Sequence, residues 1–459
     1  MLESLRLART IENPKIRGGG SFASTWYKFY PGFSEKFARS VLSSAGLSEG
    51  DWVLDPWNGG GTTTSTSSSL GLNAYGYDLN PVMIVVAKAR CLDPAEYSSL
   101  KPLGVDIARK ARRAFEVSIE DPLLTWIVPS SVAAFRGIEA AIQTLLVDEL
   151  QYQSVRVRGT DAVSDLAAFF YVALFRTLRK VLHPFLTSNP TWIKRPRSLR
   201  ARLRPSGSLV RAAFRSEVAK MLPTAIPAGE SSRAERILKV ASSEKLPLSK
   251  ESVSFVLASP PYCTRIDYAV AASAELSLLG FGPAAGFEEL RRELIGSATV
   301  PKAVPKESEE WGATCLRFLG NLKEHGSKAS GTYYYKNHLQ YFSSMAHSIS
   351  EIGRVLTPGG KCILVVQDSY YKDLHNNLPL ILSEMSASRG LALYERSDFP
   401  LSRTMAGIHP GTKGYRQFFG ATESVLIFEK SRSRAENVHY VPDIVQPVGR
   451  DVMRSLGKP

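Results

Sequence analysis

The sequence has few cysteines and few histidines, and neither type occurs in the spacing of a metal site. Its 459 residues include 4 cysteines with no CxxC pair and 7 histidines with no HxH or HExxH pattern. Because zinc sites usually carry such spacings, no metal site is predicted. A disulfide framework is typical of much smaller secreted chains. We therefore expect free cysteines that are mostly buried.

Long hydrophobic runs are also missing. The longest apolar run, Leu166 to Phe175, has ten residues, whereas a helix that spans a bilayer needs about 20. The N-terminus has no apolar core of signal-peptide length. We therefore expect a cytoplasmic protein with no membrane partner. The content of hydrophobic residues, 44%, and of charged residues, 22%, is typical of a globular chain and excludes a mainly disordered one.

Positive charge is the main bias of the composition. Lys and Arg total 57 against 43 for Asp and Glu, a net charge of +14, which favours a polyanionic partner, most simply nucleic acid. The bias is concentrated between Thr191 and Lys220, where Glu217 is the only acid. A solvated surface would also explain such a segment. As candidate nucleic-acid contacts it supplies Lys194, Arg195, Arg197, Arg200, Arg202 and Arg204.

Periodicity predicts alternating strands and helices at both ends of the chain, with long helical segments between about residues 91 and 230. The predicted strands are 52–55, 74–78, 237–240, 253–257, 361–367 and 423–429. Among the predicted helices are 34–45, 62–70, 81–90, 161–182, 339–355 and 378–388, and a Thr357–Gly360 turn is expected to cap the fifth. Strand, glycine-rich loop, helix, strand and helix in sequence form a parallel, doubly wound unit.

The first two predicted strands each end in an acid, Asp55 and Asp78, and Gly59, Gly60 and Gly61 follow the first. Ligands of such sheets bind beyond the carboxyl ends of the strands. Glycines let the backbone approach a ligand, and an acid on the second strand accepts hydrogen bonds from ribose hydroxyls. The pattern therefore suits an adenosine-containing ligand. ATP hydrolysis is unsupported, because no GxxxxGK[ST] motif occurs.

Three motifs in this order resemble those of the amino-methylating DNA methyltransferases. Residues 55–63, DPWNGGGTT, are similar to their S-adenosylmethionine loop, usually DPFxGSGTT. Residues 77–81, YDLNP, resemble their second motif, and residues 259–262, SPPY, their catalytic tetrapeptide. The resemblance implies a Rossmann-like class I methyltransferase sheet with a large, mainly helical insertion, and S-adenosylmethionine as cofactor. The cofactor contacts that it implies are Tyr30, Asp55, Trp57, Gly59, Gly61, Thr62 and Asp78.

The resemblance also divides the chain. Residues 1–92 would form the N-terminal part of the catalytic domain, and 93–230 a helical and basic insertion for DNA recognition. Residues 231–430 would complete the catalytic domain, and 431–459 form a polar tail. Two features depart from the family: Trp57 and Asn58 replace Phe and a small residue, and Ser242-Ser243-Glu244 replaces the acid that meets the cofactor adenine. Which side chain contacts adenine is left open.

The residues of the tetrapeptide suit the methylation of an exocyclic amine. The exocyclic amine of a nucleobase is a poor nucleophile, because its lone pair is delocalised into the ring. Ser259 Oγ and the Pro260 carbonyl can accept hydrogen bonds from that amine, and the second proline, Pro261, stiffens the loop. Tyr262 offers a ring for stacking the base, which must leave the duplex to enter such a site. The resemblance thus implies that Ser259, Pro260, Pro261 and Tyr262 are catalytic.

Ser259 bears on the substrate. In the family, Ser at this position goes mostly with cytosine N4, and Asp or Asn mostly with adenine N6. Cytosine N4 in DNA is therefore favoured; adenine N6, an RNA methyltransferase of this fold and a non-catalytic DNA-binding protein are the alternatives. Cys263 is interpreted as lining the pocket rather than as a covalent nucleophile. A separate restriction or defence subunit is an open alternative as a partner, and no oligomeric state is predicted.

Overall fold

The structure, a computed structural model, describes residues 11–16, 20–27, 32–111, 115–147, 152–187, 192–223, 234–263, 266–297, 299, 304–401 and 421–432. All four cysteines are free and buried. Among the described residues, no three or more His, Cys, Asp and Glu side chains are grouped so that they could hold a metal ion.

A seven-stranded sheet forms the centre of the fold. Its strands are β1 (Trp52–Asp55), β2 (Asn73–Asp78), β3 (Arg236–Val240), β4 (Val253–Ala258), β5 (Leu356–Gln367), β8 (Leu391–Leu401) and β9 (Ala421–Lys430). The spatial order is β3-β2-β1-β4-β5-β9-β8. The first five are parallel, and β9 runs antiparallel to both β5 and β8. Strands β6 (Ser369–Tyr371) and β7 (Leu374–Asn376) form a separate hairpin. The predicted Rossmann-like α/β class is confirmed.

Fourteen α-helices occur in the described part of the chain. They are α1 (Glu35–Ser44), α2 (Thr62–Ser69), α3 (Pro81–Arg90), α4 (Tyr97–Lys110), α5 (Pro129–Leu146), α6 (Val155–Arg158), α7 (Asp165–Val181), α8 (Gly207–Lys220), α9 (Tyr268–Ala271), α10 (Ser273–Leu278), α11 (Phe287–Glu293), α12 (Ala313–Glu324), α13 (Tyr335–Val355) and α14 (Leu378–Ala387). Short 3₁₀ turns join several of them, and a π-helical turn, Ser330–Tyr334, precedes α13.

The strands alternate their side chains between two cores, as a sheet covered on both faces requires. On one face Val53, Phe255 and Ile363 pack with α1. On the other, the adjacent residues Leu54, Val256 and Leu364 pack with α12, α13 and α14. This burial fixes the register, since a slip of one residue would exchange the two faces.

The helices between β2 and β3, which are α3 to α8, share one apolar core with α9 to α11. Residues 167–175 of α7 are all buried, so Leu166–Phe175, the longest apolar run, is mostly a buried helix. No helix in the described ranges is long and apolar enough to cross a membrane. A mainly helical region therefore stands where the insertion was expected; the boundaries at 93 and 230 stay predictions.

Two parts of the sheet differ from the sequence prediction. Residues Thr357–Gly360 were expected to be a turn that caps a helix, but they belong to β5, whose Leu356 already pairs with Val253 of β4. Strand β8 was not predicted. It is an edge strand, and only its first residue is fully buried. Charged residues such as Arg396 and Asp398 are typical of protected edges and hide the alternation by which strands are recognised.

Candidate active site

A cavity of about 610 Å³ lies beyond the carboxyl ends of β1, β2 and β4. Its volume falls within the range of about 300–1,000 Å³ for small-molecule sites. The sheet order reverses direction between β1 and β4, which is where ligands of doubly wound sheets bind. Of the predicted site residues, those that line it are Asp55, Trp57, Gly59, Thr62, Asp78, Ser259, Pro260 and Pro261. Gly61 and Tyr262 do not line it, and Tyr30 lies outside the described residues.

Asp55 is buried at the end of β1 and fixes the start of the glycine loop. Its Oδ1 accepts the Trp57 amide at 3.1 Å and its Oδ2 accepts the Thr63 hydroxyl at 2.7 Å. Burial raises the pKa of this carboxyl from 3.8 to about 7, against the lowering effect of those two donors. A carboxyl with so high a pKa changes its charge near neutrality.

Asp78 holds the same loop from β2. Its Oδ2 accepts the amide of Gly59 at 2.9 Å, and its Oδ1 accepts the amide of Asn80 at 2.8 Å. Burial raises the pKa of Asp78 to about 6, and these two backbone donors oppose the rise. A carboxylate has about four acceptor positions, so Asp78 can bind a ligand hydroxyl while it keeps both backbone bonds.

Gly61 acts in packing rather than as a lining residue. Its φ is +79°, and a Cβ there would lie 2.7 Å from Ala87 Cβ on α3. Any side chain would therefore be strained by the left-handed backbone and would also collide with α3. Glycine at this position lets α2 begin at Thr62, close to α3.

The departures at 57 and 58 have a structural explanation. Asn58 is buried against Gly76 of β2, where a Cβ would lie 2.7 Å from the Asn58 amide group, and Asn58 Oδ1 accepts the Thr64 hydroxyl at 3.1 Å. Glycine in β2 thus makes room for the larger side chain. Trp57 packs on the core formed with α12 to α14. Both Trp57 Nε1 and Asn58 Nδ2 are buried without a partner in the described protein.

The segment after β3 brings small residues, not an acid, to the cavity. Ala241 and Ser243 line it, and Ser243 Oγ bonds Ser348 Oγ at 2.8 Å. Glu244 instead lies 3.3 Å from His347 Nδ1 and is not a lining residue. Glu244, the acid of the Ser242-Ser243-Glu244 segment, is therefore not part of the cavity wall.

The tetrapeptide leaves the sheet where β4 ends, and two tyrosines hold its backbone. The Tyr341 hydroxyl donates to the Pro261 carbonyl at 2.9 Å, and the Tyr262 amide donates to the Tyr268 hydroxyl at 3.1 Å. Burial raises the pKa of both supporting tyrosines well above the usual range, so both hydroxyls stay protonated. Ser259, Pro260 and Pro261 line the cavity, whereas the Tyr262 side chain is half-buried beside it.

Cys263 does not line the cavity, contrary to its interpretation from the sequence. It is buried in the core with α12 and α13, because the chain turns inward directly after the tetrapeptide. Asp267, further along, accepts Arg291 Nε at 2.7 Å and caps α9 through the Val270 amide. It therefore has structural partners close to the site.

Sequence reasoning missed the wall that the helical region contributes. Arg176 and Arg179 of α7, Glu217 of α8 and Trp192 all line the cavity. Each arginine is paired: Arg176 Nη2 lies 3.0 Å from Glu217 Oε2, and Arg179 bonds the fully buried Glu275. The spacing of three residues that puts both arginines on one face of α7 was the available signal, but nothing in it indicated a cavity.

The six predicted nucleic-acid contacts lie together after Trp192. Five are exposed and Arg202 is half-buried. The backbone is anchored at both ends of this segment: Trp126 Nε1 donates to the Lys194 carbonyl at 3.0 Å, and the Leu203 amide donates to the Trp126 carbonyl at 2.9 Å. Within the described part of the chain, no ion pair neutralises any of the six side chains.

The chain has relatives among curated proteins. It is 40% identical over 57 residues to the Type II methyltransferase M.BsoBI of Geobacillus stearothermophilus, 12% of this chain and 11% of that one. It is 28% identical over 171 residues to M.AvaI of a Nostoc species, 35% of each chain. It is 38% identical over 64 residues to M.MwoI of Methanothermobacter wolfeii, 14% of this chain and 10% of that one. No family model matches the chain.

The seven-stranded, mostly parallel sheet is consistent with a Rossmann-like methyltransferase fold, and the three relatives are named Type II methyltransferases. The chain has homologues among Type II methyltransferases, which fit the amino-methylating DNA methyltransferase family that the motifs predicted. The matches cover 10% to 35% of the lengths of these relatives.

Proposed function

We propose that this protein is a DNA methyltransferase that transfers a methyl group from S-adenosylmethionine to the N4 amine of cytosine. One observation carries the proposal: the glycine loop after β1 and the tetrapeptide after β4 line the same cavity, although about 200 residues separate them in sequence. A methyl donor and its acceptor must occupy one site for direct transfer, and this cavity joins the two motifs. Adenine N6 is the alternative chemistry, and an RNA substrate a less favoured one.

The residues at one end of the cavity fit S-adenosylmethionine. Asp78 retains acceptor positions for ribose hydroxyls, and the loop at Gly59 has no side chain to obstruct a ligand. The buried donors Trp57 Nε1 and Asn58 Nδ2 lack partners, and the carboxylate and ribose oxygens of such a cofactor are acceptors that would satisfy them. When bound, the cofactor supplies an electrophilic methyl group.

The tetrapeptide supplies acceptors for the target amine. Tyr341 donates to the Pro261 carbonyl, and we assign Ser259 Oγ and the Pro260 carbonyl as the acceptors for the substrate amine. Hydrogen bonds to them favour a pyramidal nitrogen with its lone pair directed at the methyl group. The transfer would break the methyl–sulfur bond of the cofactor as the nitrogen–methyl bond forms, with S-adenosylhomocysteine as the leaving group, and the amine would then lose one proton to solvent. Ser259, rather than an acid, favours cytosine in this role.

The basic segment from Lys194 to Arg204 is proposed to contact DNA phosphates, and the helical region 93–230 to carry recognition. Neutralising phosphates with exposed Lys and Arg gives affinity without sequence information. The target base would leave the duplex to reach the cavity. A cytoplasmic location and a role in restriction-modification or defence, with or without a separate subunit, belong to the same proposal.

The test is the identity of the methylated nucleoside. The protein is expressed in a host that lacks DNA methylation, and the DNA is digested and analysed by mass spectrometry. We expect N4-methyldeoxycytidine; N6-methyldeoxyadenosine would select the alternative chemistry. A Ser259→Ala/Tyr262→Ala double variant is the control for background. Unmethylated DNA from cells that contain folded protein, together with methylated RNA, would overturn the proposal in favour of an RNA substrate.

A further inference from the structure

Trp192 is a cavity-lining residue that is also open to solvent. Its side chain is 53% exposed and forms part of the cavity wall. All six tryptophans of the chain lie in the described ranges, and Trp192 is the exposed one. The other large aromatic residues of the wall are less exposed: Trp26, Tyr27 and Phe33 are buried, and Trp57 and Tyr268 are half-buried. Trp192 therefore stands at the rim, with one part toward the cavity and another toward the surface.

The backbone at Trp192 is held in place although its indole is exposed. The neighbouring residue Ile193 pairs with Leu186, and the Lys194 amide donates to the Phe185 carbonyl at 2.9 Å. The Thr187 hydroxyl donates to the Trp192 carbonyl at 3.3 Å. Leu186 and Thr187 line the cavity too. A large aromatic ring that is exposed on an anchored backbone lacks the free energy that its burial would contribute. Such a loss is expected for a ring that a bound ligand covers.

The position of Trp192 in the chain links the cavity to the basic segment. Lys194, Arg195 and Arg197 follow it directly, are exposed, and form no ion pair within the described residues. A polyanion bound by these cations would pass close to the indole. Aromatic rings next to cationic grooves are the usual way in which proteins stack unpaired bases.

We propose that Trp192 is the stacking surface on which the extrahelical target base rests at the entrance of the cavity. The inference rests on the proposed function, since it takes a DNA base as the ligand. A ring at the rim lowers the free energy of the unstacked base before the tetrapeptide receives it. The other possible occupant of this position is the cofactor, and the experiment separates the two.

The test compares Trp192→Ala and Trp192→Phe with Tyr394→Ala. Tyr394 is a 43% exposed aromatic residue on the edge strand β8 and does not line the cavity, so its variant controls for loss of an exposed ring. Single-turnover methyl transfer from labelled S-adenosylmethionine to unmethylated plasmid DNA is measured at several DNA concentrations, and the cofactor Kd is measured by calorimetry. Trp192→Ala should raise the DNA concentration for half-maximal rate about tenfold or more, as loss of base stacking predicts. In Trp192→Phe this DNA concentration should stay close to that of the wild type, and the cofactor Kd should not change in either variant.

The inference would be overturned if Trp192→Ala and Tyr394→Ala required the same DNA concentration for half-maximal rate. A higher cofactor Kd in Trp192→Ala, with an unchanged DNA concentration for half-maximal rate, would also overturn the inference, because Trp192 would then cover the cofactor. A second measurement does not need activity: single-stranded oligodeoxycytidine should quench the tryptophan fluorescence of the wild type more than that of Trp192→Phe. Absence of methyl transfer by the wild type would count against the proposed function, whereas equal quenching would count against the role of Trp192.

Discussion

The hydroxyl of Tyr341, in the middle of α13, donates a hydrogen bond to the carbonyl of Pro261 at 2.9 Å. Tyr341 is buried, and its pKa is raised by that burial, so the bond is formed in a low-dielectric setting by a group that stays protonated. It fixes the orientation of a peptide plane next to the two acceptors proposed for the target amine. Helix α13, which belongs to the core with α12 and α14, thereby determines the geometry of the loop that follows β4.

Tyr341→Phe should lower the rate of methyl transfer while the cofactor Kd stays unchanged. A neutral hydrogen bond contributes about 0.5–1.5 kcal/mol, and its removal lets the Pro261 peptide move, so we expect a fall in kcat of about three- to tenfold. The matched control is Tyr335→Phe on the same helix, whose hydroxyl bonds Glu307 at the exposed surface. The same kcat for Tyr341→Phe and Tyr335→Phe would show that the bond does not position the loop.

Removing the serine acceptor should separate binding from turnover. In Ser259→Ala the loop keeps both prolines and both tyrosine contacts, so DNA and cofactor should still bind while single-turnover methylation slows. Tyr262→Ala should weaken capture of the base by about 1–3 kcal/mol, and Tyr262→Phe should keep most activity. Wild-type rates in both Ser259→Ala and Tyr262→Ala would mean that the tetrapeptide is not the active site.

Asp78→Ala should weaken S-adenosylmethionine binding. A hydrogen bond to a charged acceptor contributes about 1.5–3 kcal/mol, and the substitution also releases the Gly59 amide. Asp78→Asn keeps a side-chain oxygen for the loop and loses the charge, so its Kd should lie between those of Asp78→Ala and the wild type. Calorimetry measures all three. An unchanged Kd in a folded Asp78→Ala protein would remove Asp78 from the cofactor site.

Neutralising Arg197, Arg200, Arg202 and Arg204 together should weaken DNA binding and flatten its dependence on salt. For every phosphate that the protein no longer neutralises, the slope of log K against log salt should fall by about 0.9. Cofactor binding should not change. Lys250→Gln is the control, because Lys250 is exposed just before the amino end of β4, at the edge of the sheet opposite the cavity. A slope equal to that of the wild type would identify the segment as a solvated surface.

The raised pKa of Asp55 predicts a pH dependence of stability. Its carboxyl has a pKa of about 7 in the folded protein against 3.8 for the free group, so the folded state binds this proton more tightly than the unfolded state does. This group therefore stabilises the fold less and less as pH rises from about 4 to about 7, with a slope of at most about 1.4 kcal/mol per pH unit.

Asp55→Asn should remove the contribution of the Asp55 carboxyl to the slope of stability against pH. Denaturant unfolding of the wild type and of Asp55→Asn at pH 5 and pH 8 measures it, and the variant should lose less stability between the two values. Asp106→Asn, on the exposed face of α4, controls for the loss of a carboxyl elsewhere. The same change with pH in all three proteins would contradict a buried, proton-binding Asp55.

Local sequence determined the elements that carry the motifs. Helix α3 has the bounds that its pattern predicted, because Asn80 caps it through the Val82 amide and Pro81 occupies the first turn. The alternation in β4 and the acids that end β1 and β2 were visible in the same way. Such signals are readable because capping, proline and strand periodicity act over a few residues. In the structure, eight of the predicted site residues line one cavity.

Tertiary structure alone decided which distant segments complete that cavity. Arg179 of α7 meets Glu275 of α10 across 96 positions of sequence, and Trp192 reaches the rim where Ile193 and Lys194, which follow it, pair with Leu186 and Phe185. Cys263, adjacent to the tetrapeptide, is instead buried in the opposite core. Neighbours in sequence need not share a site, since contacts are set by how the sheet and the helical core pack together. No periodicity within a single segment encodes that packing.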